Sequence, residues 1–158
     1  MKTKMLIFAL LLISFSNPGF SGVPNDVGEK VIASFQKDFS NAREISWTNN
    51  NIYEKATFIL DGQALSAFYD HNGELIALAR KIESSQLPVS LLLNLNKIYK
   101  GYLIKELNEI DHDNNALYYA VVINSDQQLI LESSGYTWTV YKKDSKKGGR
   151  FRYMAGKD

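Results

Sequence analysis

Residues 27–47, VGEKVIASFQKDFSNAREISW, change their hydrophobic period midway, and that change decides the fold. Val27, Val31, Phe35 and Phe39 recur every four residues with Ile32 beside them, so one stripe faces a core while Lys30, Gln36 and Lys37 face water. This is the pattern of an amphipathic helix, expected over about 26–39. Asp26, with Glu29 three residues on, has the spacing of a capping box. From Ala42 the period falls to two. Arg43, Ile45 and Trp47 share one face and Glu44 and Ser46 the other, as in a half-buried antiparallel strand.

Downstream, residues 52–60 place Ala56, Phe58 and Leu60 on one face and Tyr53, Lys55 and Thr57 on the other. Asp61-Gly62 and Asn72-Gly73 are hairpin dipeptides, because Gly and Asn supply positive φ at little cost. They tie three strands into a meander ending near Lys81. About sixty residues on, the pattern returns. Pro88 opens a second helix at a position where its missing N–H costs nothing. Leu91, Leu92, Leu95, Ile98 and Tyr99 form its buried stripe, and Gly101 ends it. Strands are expected at about 103–110, 116–123, 127–132 and 136–142. Leu95 and Tyr99 stand where Phe35 and Phe39 stood, Leu107 replaces Trp47, and Val122 falls near Phe58. Glu132-Ser133-Ser134-Gly135 matches the turn Asp70-His71-Asn72-Gly73. The expected fold class is therefore α+β: a tandem repeat of helix plus antiparallel meander, over about 26–82 and 87–142, with two helices packed on one face of a continuous antiparallel sheet.

Lys2 and Lys4 precede an apolar run from Met5 to Ile13, and Pro18-Gly19-Phe20-Ser21 adds a helix break and small residues. Residues 1–21 read as a signal peptide and the run is too short to span a bilayer, so the expected location is periplasmic or secreted. Removal leaves 137 of the 158 residues, enough for one domain over 22–142 and a tail over 143–158. The chain contains no Cys, so packing alone must hold the fold in an oxidising compartment. Residues 22–141 hold 9 Lys/Arg against 15 Asp/Glu, whereas 142–158 hold 7 against 2. A basic tail on an acidic body is either a solvated extension or an electrostatic contact, with Phe151 and Tyr153 interleaved between Arg150 and Arg152.

No catalytic set is legible. His71 and His112 lie in turn sequences, no Cys nucleophile exists, and neither a G-x-S-x-G elbow nor a phosphate-cradling glycine loop occurs. Asp111-His112-Asp113-Asn114-Asn115 imitates the start of a calcium loop, but Ala116 stands where that loop needs Gly and Val122 where it needs Glu. It reads as a connector, and no metal or cofactor is expected. The strand aromatics say more. Adjacent Tyr118 and Tyr119 must point to opposite faces. With Ala56, Phe58 and Leu60 toward the helices, Tyr53, Lys55 and Thr57 fall on the open face, and Tyr118 and Tyr141 are assigned beside them as partner-binding residues. Aromatics there are either interface anchors or cross-strand pairs stabilising a solvated sheet.

The run Phe35-x-x-x-Phe39-x-x-Ala42, then Trp47, Tyr53 with Phe58, Asp70-His71-Asn72-Gly73, and Leu87-Pro88 resembles the PepSY-like family of exported bacterial proteins, related in fold to the beta-lactamase inhibitor protein. The resemblance covers about 27–142. It implies two helices on an antiparallel sheet, export, protein binding, and no catalytic residues. The chain departs from the inhibitor protein in lacking disulfides, Trp47 has no aromatic counterpart in the second repeat, and Gly135 follows Ser instead of Asn. The function expected is a non-enzymatic exported module that binds an envelope protein or peptide as an inhibitor or regulator, with no nucleic-acid partner. The alternatives are a small-ligand or lipid carrier with an apolar pocket between sheet and helices, and a surface binder acting through its basic tail.

Overall fold

The computed structural model describes residues 26–112 and 115–145. The expected signal segment, Asp113, Asn114 and the tail past Ser145 lie outside the described residues. The elements are α1 (Glu29–Asp38), β1 (Arg43–Asn49), β2 (Glu54–Leu60), β3 (Gln63–Tyr69), β4 (Leu75–Lys81), a 3-10 turn (Ser84–Gln86), α2 (Val89–Ile98), β5 (Leu103–His112), β6 (Asn115–Ile123), β7 (Gln127–Ser133) and β8 (Thr139–Ser145). This is an α+β fold of two helices and an eight-stranded antiparallel sheet whose strand order follows the chain. The chain divides into two compact units between Arg80 and Lys81.

In the first unit, α1 packs through Val31 and Phe35 on Trp47, Ala56, Phe58, Leu65, Ala67 and Tyr69. Phe35 is the hub, with ring centroids 5.4 Å from Phe39, 5.1 Å from Trp47 and 5.0 Å from Phe58, the last two edge-on as the ring quadrupoles favour. The helix begins later than the capping-box spacing suggests. Gly28 is its N-cap and no side chain caps it from within the segment. Instead Glu54, buried at the start of β2, accepts the Gly28 N–H through Oε2 at 2.9 Å. At the far end, Tyr69 donates its hydroxyl to Asp38 Oδ2 at 3.3 Å. Gly73 in the β3–β4 turn has φ +86° and sits so close to α1 that a Cβ would fall 2.8 Å from the Lys30 carbonyl oxygen.

In the second unit, Leu91 and Leu95 of α2 pack on Leu107, Ala120, Val122, Leu129, Leu131 and Trp138. Leu107 and Val122 thus take the places of Trp47 and Phe58. Trp138 donates its indole N–H to the Leu91 carbonyl at 3.0 Å, and Ser90 donates its hydroxyl to the Gly135 carbonyl at 3.2 Å, so the β7–β8 turn meets the first turn of α2 as Gly73 meets α1. Pro88 is the N-cap of α2. Ile98 departs from expectation: it is exposed, because it closes the last turn where the stripe has run past the sheet.

The two units share more than elements. Residues 31–47 and 91–107 run through the same order of buried, half-buried and exposed positions. Each also carries a bulge early in its first strand, between Arg43 and Ser46 and between Ile104 and Glu106.

Candidate partner-binding face

Strand alternation puts the residues not facing the helices on a second face of each unit. In the first unit, register aligns Lys55 with Phe68 and Ala77, and Thr57 with Ser66 and Ala79. Tyr53, just before β2, meets Phe68 edge-on at 5.3 Å. The Lys55 ammonium lies 5.8 Å from the centre of the same ring. Lys55 is buried, and burial holds its pKa below the ordinary lysine value. Thr57 and Ser66 bring their hydroxyls to 3.3 Å. Tyr53, Lys55 and Thr57 therefore share the helix-distal face as expected, but Tyr53 and Lys55 are packed within it instead of standing out from it.

In the second unit, one cross-strand row runs Asn108, Tyr119, Glu132, Thr139. The bulge between Ile130 and Leu131 pairing leaves Tyr141 out of the ladder, and its ring meets Tyr119 edge-on at 6.3 Å. Burial raises the Glu132 carboxyl pKa, opposed by a hydrogen bond from the Tyr119 hydroxyl. Burial and the Glu132 charge raise both Tyr119 and Tyr141. Asn108 is 1% exposed. Its Nδ2 donates to Glu106 Oε1 at 3.1 Å, while its Oδ1 has no hydrogen-bond partner among the described residues.

One assignment is corrected. Tyr118 lies on the helix side, half-buried against the α2 core, with its hydroxyl donating to Glu109 Oε1 at 3.2 Å. Ala120 and Val122 face α2, so Tyr118 shares their parity and Tyr119 takes the distal face. Asn108, Tyr119 and Glu132 are the residues that sequence reasoning missed. The match of Val122 to Phe58 already carried the parity that places Tyr119, and Leu107 matched to Trp47 carried that of Asn108.

Other features give little chemistry. The spaces between each helix and its strands are filled by the two apolar clusters. An open groove of about 640 Å³ lies elsewhere, lined by Ser40, Asn41, Ala42, Arg43, Glu44, Ile59, Asp61 and Gly62, most of them exposed. Among the described residues no group of three His, Asp or Glu could hold a metal ion. His71 is bound in a structural contact: its Nδ1 lies 3.1 Å from Glu54 Oε1, the carboxylate that also holds Gly28. No described helix is long and apolar enough to cross a membrane.

No known family profile and no curated protein matches the sequence. Solved structures do. A DUF2874 family protein from Bacteroides uniformis aligns with a TM-score of 0.67 at 12% identity, over 78% of this chain and 90% of its own. A BLIP-like protein from Bacteroides fragilis aligns at 0.64 and 16%, over 82% and 92%. A protein from Bacteroides eggerthii, provisionally named periplasmic, aligns at 0.67 and 11%, over 79% and 90%. At these identities the likeness is one of fold, and the fold is BLIP-like.

Proposed function

We propose that this protein is a non-enzymatic module of the cell envelope, PepSY-like in kind, that binds a protein or peptide through the helix-distal face of its sheet. The observation that carries the reading is the cluster of Tyr119, Tyr141 and Glu132 on that face. Two rings meet edge-on at 6.3 Å beside a carboxylate, and Tyr141 and Glu132 are half-buried, within reach of the amide and hydroxyl donors of a polypeptide. The BLIP-like and periplasmic names of similar folds support a binding role in the envelope over a catalytic one. Of the residues first assigned to this face, Tyr53, Lys55, Thr57 and Tyr141 remain in the proposal, and Tyr118 leaves it.

The test is capture. Protein purified as its own cells process it is immobilised and exposed to an envelope extract, with Tyr141→Ala as control because Tyr141 is half-exposed and its loss spares the core. A polypeptide held by the wild type and lost by Tyr141→Ala supports the reading. Retention by the variant, or no polypeptide held by either, removes it.

A further inference from the structure

β8 closes the strand order, so its outer edge has no strand beside it among the described residues. The two ends of that order are built differently. β1 breaks its edge with a bulge between Arg43 and Ser46 and a left-handed Glu44 at φ +53°. Such irregularities hinder the addition of another strand. β8 has its bulge nearer its start, at Tyr141, and from Lys142 to Ser145 it pairs with β7 residue for residue. That half of β8 presents a regular row of backbone groups on its outer side, where an extended segment can add. Asp144 is 8% exposed although it lies on an outermost strand, one residue from Ser145, with Lys142 as its ion pair at 3.7 Å. A carboxylate so withdrawn from water asks for cover from beyond β8.

The sequence that follows has the pattern of a returning strand. Gly148-Gly149 is a two-residue hairpin dipeptide, since both residues take positive φ at little cost. After it, Arg150, Phe151, Arg152 and Tyr153 alternate cation and ring and Met154 follows, with no Pro or Gly among the five. A reversal at the glycines pairs Lys147 with Arg150, Lys146 with Phe151, Ser145 with Arg152, Asp144 with Tyr153 and Lys143 with Met154. Directly opposed residues share a face. Gln128, the β7 partner of Asp144, neighbours Leu129, which packs toward α2, so Asp144 lies on the helix-distal face. Tyr153 and Phe151 then join it there and supply its cover, with Arg150 and Arg152 on the other side. Only Lys147 and Arg150, beside the turn, set like charges against each other. A second copy adding its own β8 about the centre of Asp144-Ser145 would oppose Lys142 with Lys147 and Lys143 with Lys146, which disfavours it.

We infer that the outer edge of β8 is a strand-addition site whose occupant is the chain's own tail: residues 150–154 fold back through Gly148-Gly149 as a ninth strand and close the edge. The basic segment is then a strap that keeps other extended polypeptides off β8. The inference is independent of the sheet-face reading, since it concerns backbone pairing at an edge and its test needs no partner.

Nuclear magnetic resonance tests it, using isotope-labelled protein processed by its own cells. Overhauser contacts are expected across the pairs Lys146–Phe151 and Asp144–Tyr153, and the outward-facing amides of residues 143–147 are expected to exchange slowly. Gly148→Val with Gly149→Val, which penalises positive φ at both turn positions, is expected to erase those contacts and speed that exchange by about tenfold or more. Arg152→Pro, which spares the turn but interrupts the added strand, is expected to do the same. These substitutions fall outside the described residues, so exchange in β5–β7 serves as the internal reference. The inference is overturned if wild type shows neither contact, or if contacts and slow exchange survive in either variant. It is equally overturned if a mixture of labelled and unlabelled chains shows that the contacts arise between copies.

Discussion

The first repeat builds its core from rings and the second from leucines. Phe35, Phe39, Trp47 and Phe58 meet in edge-on and tilted contacts, while Leu95, Tyr99, Leu107 and Val122 occupy the matched places. The same backbone accepts both because each set fills the space between one helix and its strands. The second unit then adds a tie the first makes differently. Trp138 anchors its sheet to α2 through a buried indole N–H, where Tyr69 reaches the exposed Asp38.

The sharpest way to break the comparison is to empty its hub. Phe35→Ala is expected to cost about 3–5 kcal/mol, against about 2–4 for Leu95→Ala, since the phenylalanine vacates the larger space. Denaturant titrations of both variants check this, and a costlier Leu95→Ala would reject the ring-hub account. Next comes the turn glycine. Gly73→Ala is expected to cost about 3 kcal/mol, because the left-handed backbone penalty of about 1–2 kcal/mol is joined by a clash with the Lys30 carbonyl. Gly101→Ala, at a nearly equal φ of +90°, pays only the backbone part, since nothing lies within 4 Å of its Cβ position. Equal losses would show that the turn yields instead of resisting.

Smaller effects sharpen the two ties. Trp138→Phe is expected to cost about 1–2 kcal/mol through the lost buried hydrogen bond and ring area, and Tyr69→Phe about 0.5, because Asp38 is open to water. Thermal melts of the two variants measure the ratio. The smallest effect is pH-dependent and belongs to the first unit. The hydrogen bond to Glu54, then one to the Asn51 backbone, raise the His71 pKa above its ordinary value. Stability from this pair is fully present below the ordinary histidine pKa and fades as pH rises through the raised one. His71→Gln is therefore expected to destabilise the protein at about pH 5.5 and to match wild type near pH 9. A difference that grows with pH would reverse the assignment.

What the sequence disclosed follows from range. Phe35, Trp47 and Phe58 were legible as core because periodicity is local. Tyr118 was misplaced although the signal was local: it lies four residues from Val122 on one strand and so shares the face of a residue already matched to Phe58. Glu54 escaped notice because its partners, Gly28 and His71, lie 26 and 17 residues away. Ile98 looked buried by spacing, although its match in the first repeat, Asp38, marked the position as solvent-facing. Asn108 was invisible as a candidate because an unpaired acceptor is a property of surroundings, not of residue type.

Within each unit every strand pairs with its neighbour in the chain, so all six ladders close through connections of a few residues. A nascent polypeptide with that layout never waits for a distant segment to begin pairing. Hairpins zip on the microsecond scale, and low sequence separation between contacts shortens the search that follows. The repeat is thus a kinetic device as well as an architectural one: each half can complete its own meander from contacts close in sequence.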